Sequence, residues 1–209
     1  TPEAGSPQGA VLSPLLSNIY LDPLDHAMAE AGFEMVRYAD DFVVLCESRS
    51  EAERALAVIQ QWLAAAGLTL HPEKTRIVDA TEPGGFDFLG YHFERGRRWP
   101  SQKSLRKLRT AIRAKTRRAN GESFEAIVHH VNQTLRGWYV YFQHSLANTF
   151  PGVDGWVRMR LRSILRKRRG GCGRGRGDDH HRWPNAFFAE HGLYSLAAAY
   201  ASARQSSRR

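Results

Sequence analysis

FEMVRYADDFVVL, residues 33–45, sets two short apolar runs on either side of Tyr38-Ala39-Asp40-Asp41. Phe33–Val36 and Phe42–Leu45 carry the β-branched and aromatic side chains that suit a pleated, half-buried surface, and the stretch between them fits a tight turn. The segment therefore predicts a β-hairpin with polar residues at its tip. Two neighbouring carboxylates repel each other, and a hard divalent cation such as Mg²⁺ relieves that repulsion by taking oxygen ligands. Adjacent side chains of a strand-flanked turn point to opposite sides, so one carboxylate can bind metal while the other supports it. Asp is also a common turn former, and the dipeptide alone would carry no more than that.

Reading outward, Ser13-Pro14 predicts a helix start, with Ser13 as cap and proline at the first helical position. Leu15, Ile19 and Leu16, Tyr20 follow at helical spacing, Gly32 predicts the stop, and Pro23 predicts a kink or tightening. Ser50 with Glu53 has the spacing of a capping box. It precedes an amphipathic stretch of Ala55, Ile59, Trp62 and Leu63 that ends at Gly67. Leu68–Leu70, Thr75–Val78 and Phe86–Phe93 read as strands. The expectation is an α+β unit with helices packed on one face of an antiparallel sheet.

The character changes after Arg95. Ser101 or Ser104 predicts a cap for a helix carrying Leu105, Leu108 and Ile112, with Gly121 near its stop. Ser123 opens a long helix whose apolar positions Phe124, Ile127, Val128, Val131, Leu135, Trp138 and Phe142 share one face. A third is expected from about Val153, with Val157, Leu161, Ile164 and Leu165 inward and Arg158, Arg162, Arg166 and Arg169 around the other side. Together these predict an all-α bundle. Residues 170–181, GGCGRGRGDDHH, read as a mobile linker, Trp183–Tyr200 as a last docking helix, and Ser202–Arg209 as a fraying end. The expected domains are 1–95, 96–169 and 170–209.

Charge divides at the same place. Of 209 residues, Thr1–Arg95 holds 6 basic and 15 acidic side chains, net −9, and Gly96–Arg209 holds 24 basic and 6 acidic, net +18. The acidic half suits cations and the basic half polyanions. Hydrophobic residues at 42% support a real core, which excludes full disorder and fibrous architectures. No apolar run approaches the roughly 18–20 residues of a membrane helix, and TPEAGSPQGA lacks the pattern of a signal peptide. Two cysteines give no disulfide framework and no zinc-binding pair, as expected of a reducing compartment. The chain begins without Met, directly in a motif-like stretch, so a piece cut from something longer is expected.

The segments GSPQGAVLSPLLSNIYL, RYADDFVVL, GLTLHPEKT and FDFLGYHF follow in that order over residues 5–93. This series resembles the palm of reverse transcriptases, specifically those encoded by bacterial group II introns, and YADD is a variant of that superfamily's Y-x-D-D box. Arg136-Gly-Trp-Tyr-Val-Tyr-Phe, Trp156–Arg169 and Arg182-Trp-Pro-Asn are similar to the thumb and maturase region of the same family. The resemblance implies an RNA-directed DNA polymerase, a nucleotidyltransferase that extends a primer 3′-OH on an RNA template, joined to a maturase that assists intron splicing and mobility. Asp40 would ligate the catalytic Mg²⁺ ions directly, and Asp41 less directly. Pro7, Gln8, Gly9, Tyr38 and Ala39 would lie at the nucleotide and template, Lys74 at the leaving pyrophosphate, and Phe88, Leu89, Gly90 and Tyr91 would form the primer grip.

Two metal ions can stabilise both the attacking and the leaving oxygen of phosphoryl transfer, and such a site needs a further carboxylate. The resemblance places that Asp before the GSPQG loop, in the missing N-terminal reverse-transcriptase portion. The chain alone is therefore expected to be catalytically incomplete. Independently of family, the basic half suits phosphate contacts through Arg106, Lys107, Arg113, Arg136, Arg158, Arg162, Arg166 and Arg169. The indoles of Trp138 and Trp156 read as core. Expected partners are group II intron RNA, an RNA template with a DNA primer, dNTPs and the missing N-terminal portion, with no membrane and a bacterial cytoplasmic location. A non-catalytic RNA-binding maturase-like splicing factor and another reverse-transcriptase lineage are the competing readings; the intact YADD weighs against the first and the basic segment against the second. His129-His130, Asp178–His181 and the Asn132-Gln-Thr sequon are expected to carry no function.

Overall fold

The hairpin is present: β1 (Glu34–Tyr38) pairs antiparallel with β2 (Asp41–Leu45), with Met35 opposite Val44, Arg37 opposite Phe42 and Tyr38 opposite Asp41. In the computed structural model, residues 12–119, 121–175 and 177–206 are described. They fall into two units, Thr1–Phe88 and Leu89–Arg209.

In the first unit, α1 (Ser13–Glu30) buries Leu21, Leu24 and Met28 along one stripe. α2 (Arg49–Ala65) buries Ala55, Ile59 and Leu63 at four-residue spacing. These side chains and Phe33 form the core, with Met35, Phe42 and Val44 of the hairpin packed on it, so the helices cover one face of the ribbon. The other face leaves Val36, Tyr38 and Leu45 exposed. Both helices close as predicted: Phe33 N–H donates to Met28 O (2.9 Å) past Gly32, and Leu68 N–H to Leu63 O (2.8 Å) past Gly67.

Several expectations shift. The cap position of α1 is Leu12, with Ser13 already helical, and Leu15, Leu16, Ile19 and Tyr20 are exposed, because the buried stripe begins only at Leu21. Pro23 lies inside the continuous helix. The cap of α2 is Ser48, whose Oγ accepts from Glu51 N–H (3.2 Å), while Glu51 Oε2 accepts from Glu47 N–H (2.7 Å). The reciprocal motif thus sits two residues before the predicted pair. Leu68–Leu70 and Thr75–Val78 are not strands. The turn in which Lys74 and Thr75 N–H both donate to His71 O bends the chain before a three-residue run can pair. Phe86–Phe93 divides into β3 (Phe86–Phe88) and β4 (Tyr91–Glu94), separated by Leu89 at φ +47° and Gly90 at φ +79°.

The second unit opens with the hairpin of β4 and β5 (Arg97–Pro100), turned at Arg95-Gly96, so the compact units divide ahead of the charge boundary. α3 (Gln102–Lys115) is capped by Ser101, whose Oγ accepts from Ser104 N–H (3.3 Å). It stops at buried Thr116, whose hydroxyl donates to Ile112 O (2.7 Å), rather than near Gly121. α4 (Phe124–Phe142) starts at Ser123 as predicted and buries its apolar face, with Tyr139 deeper than Trp138. α5 (Thr149–Arg168) starts earlier than Val153.

The expected mobile linker is instead packed structure. Gly175 lies against Arg162, where a Cβ would come within 2.7 Å of the Arg162 Cβ. The short α6 (Asp178–Arg182) brings Asp179, 6% exposed, to Arg166 Nη1 at 2.5 Å. Composition misses this because Gly171 and Gly175 serve close approach to Arg166 and Arg162, while Gly170, Gly173 and Gly177 supply the positive φ of the turns. α7 (Asn185–Glu190) and α8 (Leu196–Ser206) complete the unit, so the expected last helix is two. Buried Asp154 on α5 accepts from Ser195 Oγ (2.7 Å), Leu196 N–H (3.0 Å) and Ala197 N–H (3.1 Å), which seats the start of α8. Among the described residues, no helix is long and apolar enough to cross a membrane.

Candidate catalytic turn and nucleic-acid interface

β1 and β2 are joined by only Ala39 and Asp40. Ala39 takes φ +55°, a left-handed conformation that costs an L-residue roughly 1–2 kcal/mol. The turn places Asp40 at the tip and Asp41 directly opposite Tyr38, which is 68% exposed. Both carboxylates are exposed, and among the described residues neither has a hydrogen-bond or ion-pair partner. Two adjacent, unpaired, hard-oxygen ligands fit a Mg²⁺ ion held by one or two carboxylates plus substrate phosphates. Among the described residues no cluster of three or more His, Cys, Asp or Glu side chains forms.

Sequence reasoning missed the residue that holds this turn. Arg37 Nε donates to Asp25 Oδ1 (2.8 Å) and Oδ2 (3.1 Å), Nη2 also reaches Asp25 Oδ2, and Nη1 donates to Asn18 Oδ1 (3.1 Å) and Ala39 O (2.9 Å). Its side chain is 9% exposed, and the hydrogen-bonded Asp25 carboxylate holds the guanidinium pKa above its ordinary value. The available signal was parity: Arg37 shares its face with Met35 and Phe42, so the alternation that buries those points Arg37 inward.

Of the other candidates, Pro7, Gln8 and Gly9 lie outside the described residues. Lys74 is exposed in the loop between α2 and β3. Phe88 ends β3, Leu89 and Gly90 form the turn, and Tyr91 begins β4. That turn is fastened within the second unit. Tyr141 on α4 donates its hydroxyl to Leu89 O (2.7 Å), Tyr91 donates to Tyr141 O (2.5 Å), and the two rings stack at 5.9 Å. Ser104 Oγ donates to Gly90 O (2.8 Å), and a Cβ on Gly90 would come within 2.9 Å of that oxygen. Glycine is thus required there by both its φ and the close approach.

The basic residues separate into two kinds. Arg106, Lys107 and Arg113 are exposed on α3, whose 14 residues contain no acid, and Arg136 and Arg169 are exposed as well. Arg113 lies over the Trp156 ring (5.7 Å) and Arg136 over Tyr194 (4.5 Å), so aromatic faces accompany the charges. Arg158 is half-buried. Arg162 is 3% exposed: its Nε donates to Trp183 O (2.9 Å) and Nη2 to Asn185 Oδ1 (2.9 Å), and it lies over Phe188. It therefore explains the Arg182-Trp-Pro-Asn segment as a packing motif. Arg166, with Asp179 and with Cys172 O at 2.7 Å, is engaged in the same way. Arg160, which the sequence reading passed over, donates to Thr116 Oγ1 (3.1 Å) and O (2.6 Å). Burial, then Arg118 and Arg113, push its pKa down. Crowded guanidinium groups of this kind are relieved by a bound anion.

Comparison with known proteins gives two matches. A family model for reverse transcriptase (RNA-dependent DNA polymerase) matches residues 1–93, and one for the group II intron maturase-specific domain matches residues 105–183. No curated protein matches the chain.

Proposed function

Since the chain belongs to the group II intron reverse transcriptase/maturase family, we propose that its two halves divide the work of RNA-directed DNA synthesis and intron splicing. Asp40 and Asp41 supply two carboxylates of a two-metal nucleotidyl-transfer site, and the exposed arginines and lysines of the second unit hold intron RNA or the template–primer. The observation that carries the reading is the acidic pair at the hairpin tip, unpartnered among the described residues. Unpaired neighbouring carboxylates cost the fold stability, which a bound cation restores.

Mg²⁺ would stabilise charge on the attacking 3′-oxygen and the leaving pyrophosphate. The chain's own residues do the rest. The Ala39-Asp40 turn presents the carboxylates, Tyr38 and Ala39 border the nucleotide, Lys74 meets the pyrophosphate, and the Leu89-Gly90 turn, fastened by Tyr141 and Ser104, steadies the primer strand. Arg106, Lys107, Arg113, Arg136, Arg158 and Arg169 contact phosphates, with Arg160 added beside Arg113; Arg162 and Arg166 support the fold beneath them. The further carboxylate that two-metal chemistry asks for comes from beyond the described residues.

Primer extension on an RNA template with Mg²⁺ and dNTPs tests this. The 209 residues alone should bind the template–primer and extend it little or not at all. Robust Mg²⁺-dependent synthesis by this chain would contradict the need for a further carboxylate, and failure to bind RNA would contradict the division of work.

A further inference from the structure

We infer that Arg37 is the positioning residue of the acidic turn, transmitting the rigidity of α1 to the carboxylates of Asp40 and Asp41. The inference rests on the metal-binding reading above and adds the device that shapes the site.

One guanidinium ties the turn to α1. Asp25 and Asn18 lie seven residues apart on α1, two helical turns along one face, and both accept hydrogen bonds from Arg37. The fork geometry matters. Nε and Nη2 engage the Asp25 carboxylate, which leaves Nη1 aimed at a fixed direction, and Nη1 takes Ala39 O at 2.9 Å together with Asn18. Ala39 is the residue at φ +55°, so the carbonyl held by Arg37 belongs to the strained peptide immediately before Asp40. Without that bond, alanine would favour a negative φ. The Asp40 backbone would then rotate, and Asp40 and Asp41 would diverge.

The placement is inward. Arg37 stands opposite Phe42 on the helix-covered face, whereas Tyr38 and Asp41 lie on the exposed face. Arg37 therefore grips the turn from behind and leaves the carboxylate side open to ligand. Lysine does not replace it, because a single ammonium lacks the planar fork that serves a carboxylate and a carbonyl at once.

The test uses the full chain and Mn²⁺, a paramagnetic stand-in for Mg²⁺. NMR would record the Ala39 backbone shifts, the Mn²⁺ broadening of Ala39–Phe42 amides, and the methyl signals of Leu24, Ile59 and Leu63 as a check on the fold. In Arg37→Lys, with methyl signals kept, Ala39 should lose its left-handed shift signature and Mn²⁺ affinity should fall about ten-fold, the usual scale for removing a residue that orients a metal ligand. Asp25→Asn, which keeps a hydrogen-bond acceptor for Arg37, should move both readouts in the same direction by less, and it serves as the second variant if Arg37→Lys does not fold. Unchanged Ala39 shifts and unchanged Mn²⁺ affinity in the folded variants would overturn the inference. Absence of Mn²⁺ broadening in the wild-type chain would instead overturn the metal reading itself, leaving the Ala39 shifts to judge the turn.

Discussion

The two units bury their apolar residues to different degrees. Among the described residues, the second packs Leu108, Ile112, Ile127, Leu135, Phe150, Leu161, Ile164, Phe188 and Leu196 into one continuous core, and only Val140 and Tyr141 are large hydrophobics left exposed. Among the described residues of the first, seven form the buried core, and Leu12, Leu15, Leu16, Ile19, Tyr20, Val36, Tyr38, Leu45, Leu68 and Ile77 are exposed. Polar anchoring differs too. In the second unit Asp154, Asn132, Arg160 and Arg162 each tie distant segments together, whereas in the first Arg37 ties β1 to α1 and the Tyr20 hydroxyl donates to Ala66 O (2.6 Å). Stability is therefore concentrated in the unit proposed to hold RNA, and the proposed metal-binding turn sits on the lighter scaffold.

The sharpest way to break this contrast is to truncate a buried side chain of the second unit and an exposed one of the first, and to follow hydrogen exchange in each unit separately. Phe150→Ala should cost about 3–5 kcal/mol and strip protection from the second unit while residues 12–88 keep theirs. Ile19→Ala should change either unit by no more than about 0.5 kcal/mol. Equal effects would erase the distinction. Next in size, Asp154→Ala removes the acceptor of three donors at the start of α8 and should cost about 2 kcal/mol, seen as lost protection over Leu196–Ser206.

Tyr141→Phe frees Leu89 O and should cost about 1 kcal/mol, with faster exchange at Leu89–Tyr91 and little change elsewhere. The smallest effect belongs to the first unit. Ala39→Gly relieves a left-handed alanine but adds chain entropy to the unfolded state, so a net gain of about 0.5 kcal/mol is expected. A loss of stability would show that the Ala39 Cβ is not strained.

The hairpin, the amphipathic face of α4 and the glycine stops of α1 and α2 were legible in the sequence, because each depends on local periodicity or on a φ that glycine favours. The strands proposed at Leu68–Leu70 and Thr75–Val78 were not, since pairing needs a neighbour that propensity does not supply. Arg162 shows the limit for charge: its position in an arginine series predicted exposure, and only the distant Trp183 and Asn185 reveal why it is buried. The Gly-rich run misled for a related reason, since Gly175 serves contact with Arg162. In the candidate site the acidic pair stood out through the series of segments around it, not through its turn alone. Arg37 did not, because its acceptors Asn18 and Asp25 lie on another element.

The division of work is tested most directly by RNA binding of the full chain across rising KCl, comparing Asp40→Asn with the exposed-face variants Arg106→Ala, Lys107→Ala and Arg113→Ala. The account predicts affinity that falls steeply with salt, a log–log slope that loses about 0.7 for each phosphate contact removed on α3, and no change for Asp40→Asn. Salt-insensitive binding, or α3 variants that bind as tightly as wild type, would contradict it.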